Sequence, residues 1–381
     1  MRGLLATIAM VFTVGALSAQ SDEVMVVGAD TLEYRYIPID QTAYPQTGVE
    51  RFGLRLNDYL SLDESDVQSV KFSVVGAPAY SANTGWRLSA LATMLYRTKH
   101  SHQAQRLSIR GMASLNGCYG VSIDGVNYLD GTRHTLMYGG GMDINRVYLY
   151  GIDKSARTGV LREGYKTRKY SAYLHYYYRI VDGLTIGVQG NYTYELLVDT
   201  DALFSGLGLG ANIAYSTLEV EDVNLVRGFY TKLEYLLHPG FVNNRGEAFH
   251  SGNLTVDYYQ PLWRRGLLAL DLYGEYHSAN TPWMLGAQFG GDSRMRGYYY
   301  GRFDGSSVVT LQAELRQRVW EGLVVAGWGG CGALFNQRES VVLPTYGAGI
   351  RWYFNATSLV RIDYGRGRNC GAFVIGYTEA F

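Results

Sequence analysis

From about Gly85 onward the chain alternates with a period of two, in stretches of roughly ten to fourteen residues parted by turn residues. In residues 308–318, Val309, Leu311, Ala313 and Leu315 fall on one face, and Thr310, Gln312, Glu314, Arg316 and Arg318 fall on the other. Residues 170–180 split the same way, with Tyr170, Ala172, Leu174, Tyr176, Tyr178 and Ile180 against Ser171, Tyr173, His175, Tyr177 and Arg179. So do Leu268, Leu270 and Leu272 against Asp271, Glu275 and His277, and Ala348, Ile350, Trp352 and Phe354 against Arg351 and Tyr353. Strands this long with so uniform an apolar face would cover a soluble protein in hydrophobic patches. One face suits lipid and the other a wet interior.

Beyond its first residues the chain has no apolar run of about 18 residues, so no membrane-spanning helix is expected. A bilayer admits only helices and closed barrels, because every backbone N–H and C=O must be satisfied inside the protein. Alternating strands therefore predict a transmembrane antiparallel β-barrel. Composition agrees, with 47 Gly and 33 Tyr but only 7 Pro, and 18% charged residues. Lys+Arg and Asp+Glu both number 34, so no net field recruits nucleic acid. The strands number 16, or 14 if residues 104–128 form one long strand instead of a hairpin turning near Asn116-Gly117; both termini on one side require an even count. Val181-Asp182-Gly183, Trp263 to Gly266 and Trp320-Glu321-Gly322 read as periplasmic turns. The longer segments 147–166, 197–205, 240–249 and 279–306 read as extracellular loops.

The N-terminus reads as a cleaved signal peptide over residues 1–19. Arg2 supplies the positive start, Leu4 to Leu17 the apolar stretch, and Ser18 and Ala19 the small residues before the cut. Residues 20–75 are acidic and turn-prone, with Pro38, Pro45, Asp63, Glu64 and Asp66. They read as a short periplasmic or lumen-lodged segment, and the barrel is expected over 76–381. Cys118, Cys331 and Cys370 are odd in number, so at least one stays unpaired within a monomer. At the other end, Phe373, Ile375, Tyr377 and Phe381 share one face by alternation. An aromatic end on an alternating last strand is what outer-membrane barrels offer their assembly machinery through edge pairing.

Chemistry-bearing motifs are scarce. Gly206, Gly208 and Gly210 form G-x-G-x-G, but they alternate with Leu207 and Leu209 in a strand, not at the opening of a helix that would cradle phosphate. His100 and His102 lack an evident third metal ligand. No G-x-S-x-G elbow occurs. No catalytic residue, metal or cofactor is expected, and the chain does not read as an enzyme.

The longest loop holds Gly290-Gly291-Asp292-Ser293-Arg294-Met295-Arg296-Gly297-Tyr298, then Gly301-Arg302-Phe303, and Ala313-Glu314-Leu315-Arg316 follows. With Ala77 to Trp86, Gly347 to Trp352 and Arg361-Ile362-Asp363-Tyr364-Gly365, these stand in the order of a known family. Over about residues 77–381 the chain resembles the BamA-like assembly superfamily, also called bacterial surface antigens. The resemblance implies that the loop folds into the lumen with its motif arginine against lumen-facing acids. Alternation points Glu314 inward, so Arg296 can reach it as a charge-assisted pair; Asp271, Glu275 and Arg316 complete the expected anchoring wall. The family's second acid stands in an F-x-D-x-G pattern, and Trp328-Gly329-Gly330-Cys331-Gly332 puts Gly330 in its place. The resemblance thus implies one wall acid for Arg296 where relatives have two.

Most members carry periplasmic POTRA domains, and residues 20–75 are too few to hold one comfortably, so a POTRA-less member is expected. The implied function is assembly, insertion or translocation of outer-membrane or surface proteins, templated on a labile seam between the first and last strands. Expected partners are membrane lipid and lipopolysaccharide, unfolded outer-membrane protein clients, and a separate periplasmic POTRA or chaperone protein. A plugged pore or transport barrel is the alternative on the same scaffold.

Overall fold

The computed structural model describes residues 23–27, 30–36, 70–81, 84–97, 104–129, 133–149, 163–200, 202–222, 225–320, 322–336, 340–353, 359–376 and 379–381. The signal-peptide reading, most of segment 20–75, His100 and His102, most of loop 147–166, Phe354 and Tyr377 lie outside the described residues.

Sixteen strands run up and down in chain order. They are β1 (Lys71–Ser81), β2 (Gly85–Arg97), β3 (Ala104–Ser114), β4 (Tyr119–Leu129), β5 (His134–Leu149), β6 (Glu163–Val181), β7 (Leu184–Leu197) and β8 (Ala202–Ser216). Then come β9 (Leu225–His238), β10 (Phe249–Trp263), β11 (Gly266–His277), β12 (Ser307–Arg318), β13 (Leu323–Phe335), β14 (Ser340–Tyr353), β15 (Leu359–Gly367) and β16 (Cys370–Gly376). Each pairs antiparallel with the next, and β16 meets β1 at Ile375↔Tyr80, which closes the barrel.

Residues 104–128 form a hairpin, with Gly117 at φ +75° in the turn between β3 and β4. This decides the count at sixteen. β1 starts at Lys71, ahead of residue 76, and pairs with β2 from Lys71↔Leu95 to Ser81↔Gly85. Glu23–Val27 and Asp30–Tyr36 form a hairpin, and the second of these runs parallel to Leu218–Asp222 between β8 and β9.

Alternation sorts the side chains as the sequence predicts. On β12, Leu311 is 52% exposed while its neighbours Gln312 and Glu314 are fully buried. Leu174, Leu233, Ile350 and Ile362 lie exposed on the outer face, whereas Asp271, Arg351 and Asp363 are buried inside. Exposed Trp263 and Trp320 ring the end where β10 and β12 finish, and Trp86, Tyr119 and Tyr276 ring the other. An apolar band between aromatic girdles is the outer surface of a membrane-spanning barrel.

A cation placed on that band measures its depth. Leu311→Arg is expected to cost about 2–4 kcal/mol, and Val319→Arg at the rim about 0–1 kcal/mol. Reversible urea unfolding from lipid vesicles checks both; equal costs would deny that Leu311 faces the bilayer interior.

Candidate functional site

The connection between β11 and β12 dips into the lumen. Its stem is a two-stranded ribbon, Ala287–Phe289 with Phe303–Gly305. Between these the chain needs several backbone conformations that favour glycine. Gly290, Gly291, Gly297 and Gly301 have φ of +99°, +143°, +108° and +70°. Met295 also has positive φ, at +51°, and is held there by burial and by its N–H donating to Gln312 Oε1 at 2.9 Å.

Gly297 lets the loop backbone touch the wall. A Cβ there would lie 2.7 Å from the backbone N of Arg366 on β15. Opposite it, a Cβ on Gly365 would lie 2.5 Å from the carbonyl carbon and oxygen of Arg296. Glycine faces glycine, and main chain meets main chain.

The side chain of Arg296 is fully buried and forks between two acids. One nitrogen donates to Glu314 on β12 in a short contact, and the other to Asp363 on β15 at 2.9 Å. The guanidinium lies 3.7 Å from the ring centroid of Trp328, a cation–π contact in a dry site. The Arg296 carbonyl accepts from the Thr345 hydroxyl on β14. Glu314 also accepts from Arg316 Nε at 2.7 Å and Arg351 at 2.9 Å. Asp363 accepts from Arg351 at 2.9 Å and Arg361 at 2.7 Å. A buried charge costs several kcal/mol unless paired, and here each acid meets three guanidinium groups.

The expectation of one wall acid for Arg296 does not hold. Gly330 indeed carries no acid, but Asp363 on β15 supplies the second carboxylate. Aspartate could not stand at Gly330 undisturbed, since a Cβ there runs into the backbone oxygen of Leu311. Of the other expected anchors, Asp271 accepts from Arg294 Nε at 2.8 Å and from Gln312 at 3.2 Å. Glu275 instead takes Tyr273 and His277 as donors, at 3.0 and 2.7 Å.

The rest of the motif packs the loop against itself and the wall. Tyr298 is buried; its hydroxyl donates to the Pro344 carbonyl and accepts from Arg368 N–H, both at 2.7 Å. Its ring stands edge-on to Phe289 at 5.2 Å and to Phe303 at 6.0 Å. Arg302 is buried 5.8 Å from the Phe303 centroid. The sequence reading missed Asp363, Arg351, Thr345, Gln312 and Trp328 as members of this site. Their inward phase was readable; their meeting across four strands was not.

The chain end departs from expectation too. Phe373 is exposed on the outer face, but Phe381 is buried inside among Leu218, Tyr230, Tyr259, Leu267 and Ala269. β16 ends at Gly376, so the period of two no longer governs Phe381, and Arg316 draws it inward by donating to its carbonyl at 3.1 Å. Cys118, Cys331 and Cys370 are all free. Among the described residues no cluster of His, Cys, Asp and Glu could hold a metal ion.

Arg296→Ala leaves Glu314 and Asp363 with their other arginines, so the wall stays paired while the loop loses two charge-assisted bonds worth about 1.5–3 kcal/mol each. Faster proteolysis of the loop in a barrel that remains folded is the expected result. Arg294→Ala, which removes a partly exposed contact, should have a smaller effect. Arg296→Lys should resemble alanine, because one ammonium cannot fork between two acids and stack on Trp328. Gly330→Asp should destabilise the barrel instead of tightening the loop.

No protein-family model matches the chain, and no curated protein does. Solved structures do. BamA from Haemophilus ducreyi lacking POTRA domains 1–3 superposes with a TM-score of 0.58 at 12% identity, over 87% of this chain and 78% of that one. CdiB from Escherichia coli gives 0.56 at 11% identity, over 79% of this chain and 62% of its own. CdiB from Acinetobacter baumannii gives 0.54 at 15% identity, over 80% and 59%. The chain thus spans less than two thirds of either CdiB chain. At these identities the likeness is one of architecture: the chain has the BamA-like β-barrel fold that it shares with these proteins.

Proposed function

We propose that this barrel resides in a Gram-negative outer membrane and assists the assembly, insertion or translocation of outer-membrane or surface proteins. The observation that carries the reading is the seam. Among the described residues β1 and β16 share one register pair, Ile375↔Tyr80, whereas β1 and β2 match from Lys71↔Leu95 to Ser81↔Gly85. A short seam opens at low cost, and an opened strand edge templates an incoming strand through main-chain hydrogen bonds. The reading needs no cofactor or catalytic side chain: backbone geometry at the seam and the lipid beside it do the work. Clients would be unfolded outer-membrane proteins, delivered by a separate periplasmic POTRA or chaperone protein, with lipid and lipopolysaccharide around the barrel. The likeness to BamA and CdiB supports this in kind.

The buried Arg296–Glu314–Asp363 cluster favours a second reading, a plugged pore, because it seats a loop across the lumen with every acid paired. One experiment separates the two. The barrel in liposomes should speed folding of an unrelated barrel client. A Tyr80→Cys/Ile375→Cys disulfide across the seam should abolish that effect and dithiothreitol restore it. Steady conductance with no effect on client folding would instead establish the pore.

A further inference from the structure

Behind the lumen loop lies a second inserted segment, Glu379–Phe381, which follows β16 and reaches the same charge cluster from the opposite end of the barrel. Glu379 lies 3.3 Å from Arg316 and 3.4 Å from Arg351, and it accepts from the Tyr353 hydroxyl. Arg316 also donates to the Phe381 carbonyl at 3.1 Å. The Phe381 ring is buried, with its centroid 5.7 Å from the Arg316 guanidinium and 5.9 Å from that of Arg296.

Arg316 and Arg351 face both ways. On one side they hold Glu379, and on the other they donate to Glu314 at 2.7 and 2.9 Å. Glu314 in turn holds Arg296. Loop, Arg296, Glu314, the arginine pair and Glu379 thus form one contiguous chain of paired charges. Among the described residues four guanidinium groups (Arg296, Arg316, Arg351, Arg361) pair with three side-chain carboxylates (Glu314, Asp363, Glu379). Without Glu379 the four would face two, and Arg316 and Arg351 would draw harder on Glu314, in competition with Arg296. Burial alone would push the Glu379 carboxyl up, but Arg316 and Arg351 outweigh it and hold the group below the usual carboxylate range.

We propose that Glu379–Phe381 is a latch that keeps the lumen loop seated: by neutralising Arg316 and Arg351 from the periplasmic end, it leaves Glu314 free to grip Arg296. The coupling runs through a packed network with two arrangements, segment in and segment out. It holds whether the barrel inserts proteins or conducts solutes.

Hydrogen–deuterium exchange of the full chain in nanodiscs tests the latch. Glu379→Gln should speed exchange across residues 290–302 about tenfold or more, the change that loss of one charge-assisted hydrogen bond corresponds to. Exchange in β6 to β8 should not change. Tyr353→Phe, which removes one donor to Glu379, should give a smaller rise over the same residues. Shortening the chain after Thr378 should reproduce the Glu379→Gln profile. Glu234→Gln, which removes a lumen acid paired with Lys232 and outside the cluster, should leave 290–302 unchanged. Unaltered exchange at 290–302 in both Glu379→Gln and Tyr353→Phe would overturn the proposal. So would an equal rise throughout the barrel, since that would mark Glu379 as a general structural prop.

Discussion

Glu314 is the interaction on which the interior depends. It is fully buried, and one carboxylate accepts from three guanidinium groups, those of Arg296, Arg316 and Arg351. These arrive from the lumen loop, from its own strand β12, and from β14. Such a group adds little net stability, because desolvation consumes most of the Coulomb gain. What it does is select one arrangement. Any other position of the loop leaves a buried charge without its counterion, so the loop is seated by the cost of the alternatives.

The two sides of the barrel wall follow opposite rules. Outside, lipid accepts any apolar side chain of suitable size, so Leu, Ile, Val and aromatics recur with little specificity. Inside, each polar group needs a partner at a particular distance and angle. Bulk is removed where the loop must approach: Gly365 receives the Arg296 backbone, and Gly297 receives that of β15. The seam belongs to neither regime. Its single described pair joins an eleven-residue strand, β1, to a seven-residue one, β16, while every other neighbouring pair is stitched over a longer run. The shortness of the seam is a matter of register, since Ile375 and Tyr80 each stand one residue before the end of their strands, whereas the same β16 pairs with β15 over seven residues.

The strand pattern was legible because the side-chain period in a strand is two, and a single sequence records it directly. Glu314 could be assigned to the lumen in this way, and Arg296 was matched to it from the loop motif. Asp363 was equally legible as an inward residue between Ile362 and Tyr364, yet its pairing with Arg296 was not. The residues stand 67 positions apart, and alternation carries no information about which strand lies opposite a loop. Gly330 misled for the same reason: a vacancy in a motif says nothing about an acid brought in from another strand. Phe381 misled because a period of two holds only while the strand continues.

The sequence by itself determined that this chain closes into a membrane barrel, which residues face lipid, and that a glycine-rich loop carries the charge to be neutralised. Period, apolar face and hydrogen-bond satisfaction are local quantities, so they are written locally. The tertiary structure alone decided which acids take Arg296, where Asp271 and Glu275 are spent, and that Glu379 and Phe381 turn inward beneath the loop. Those outcomes depend on distances between residues far apart in the chain. Ion pairing in a dry lumen rewards only the groups that closure of the barrel brings within hydrogen-bond reach.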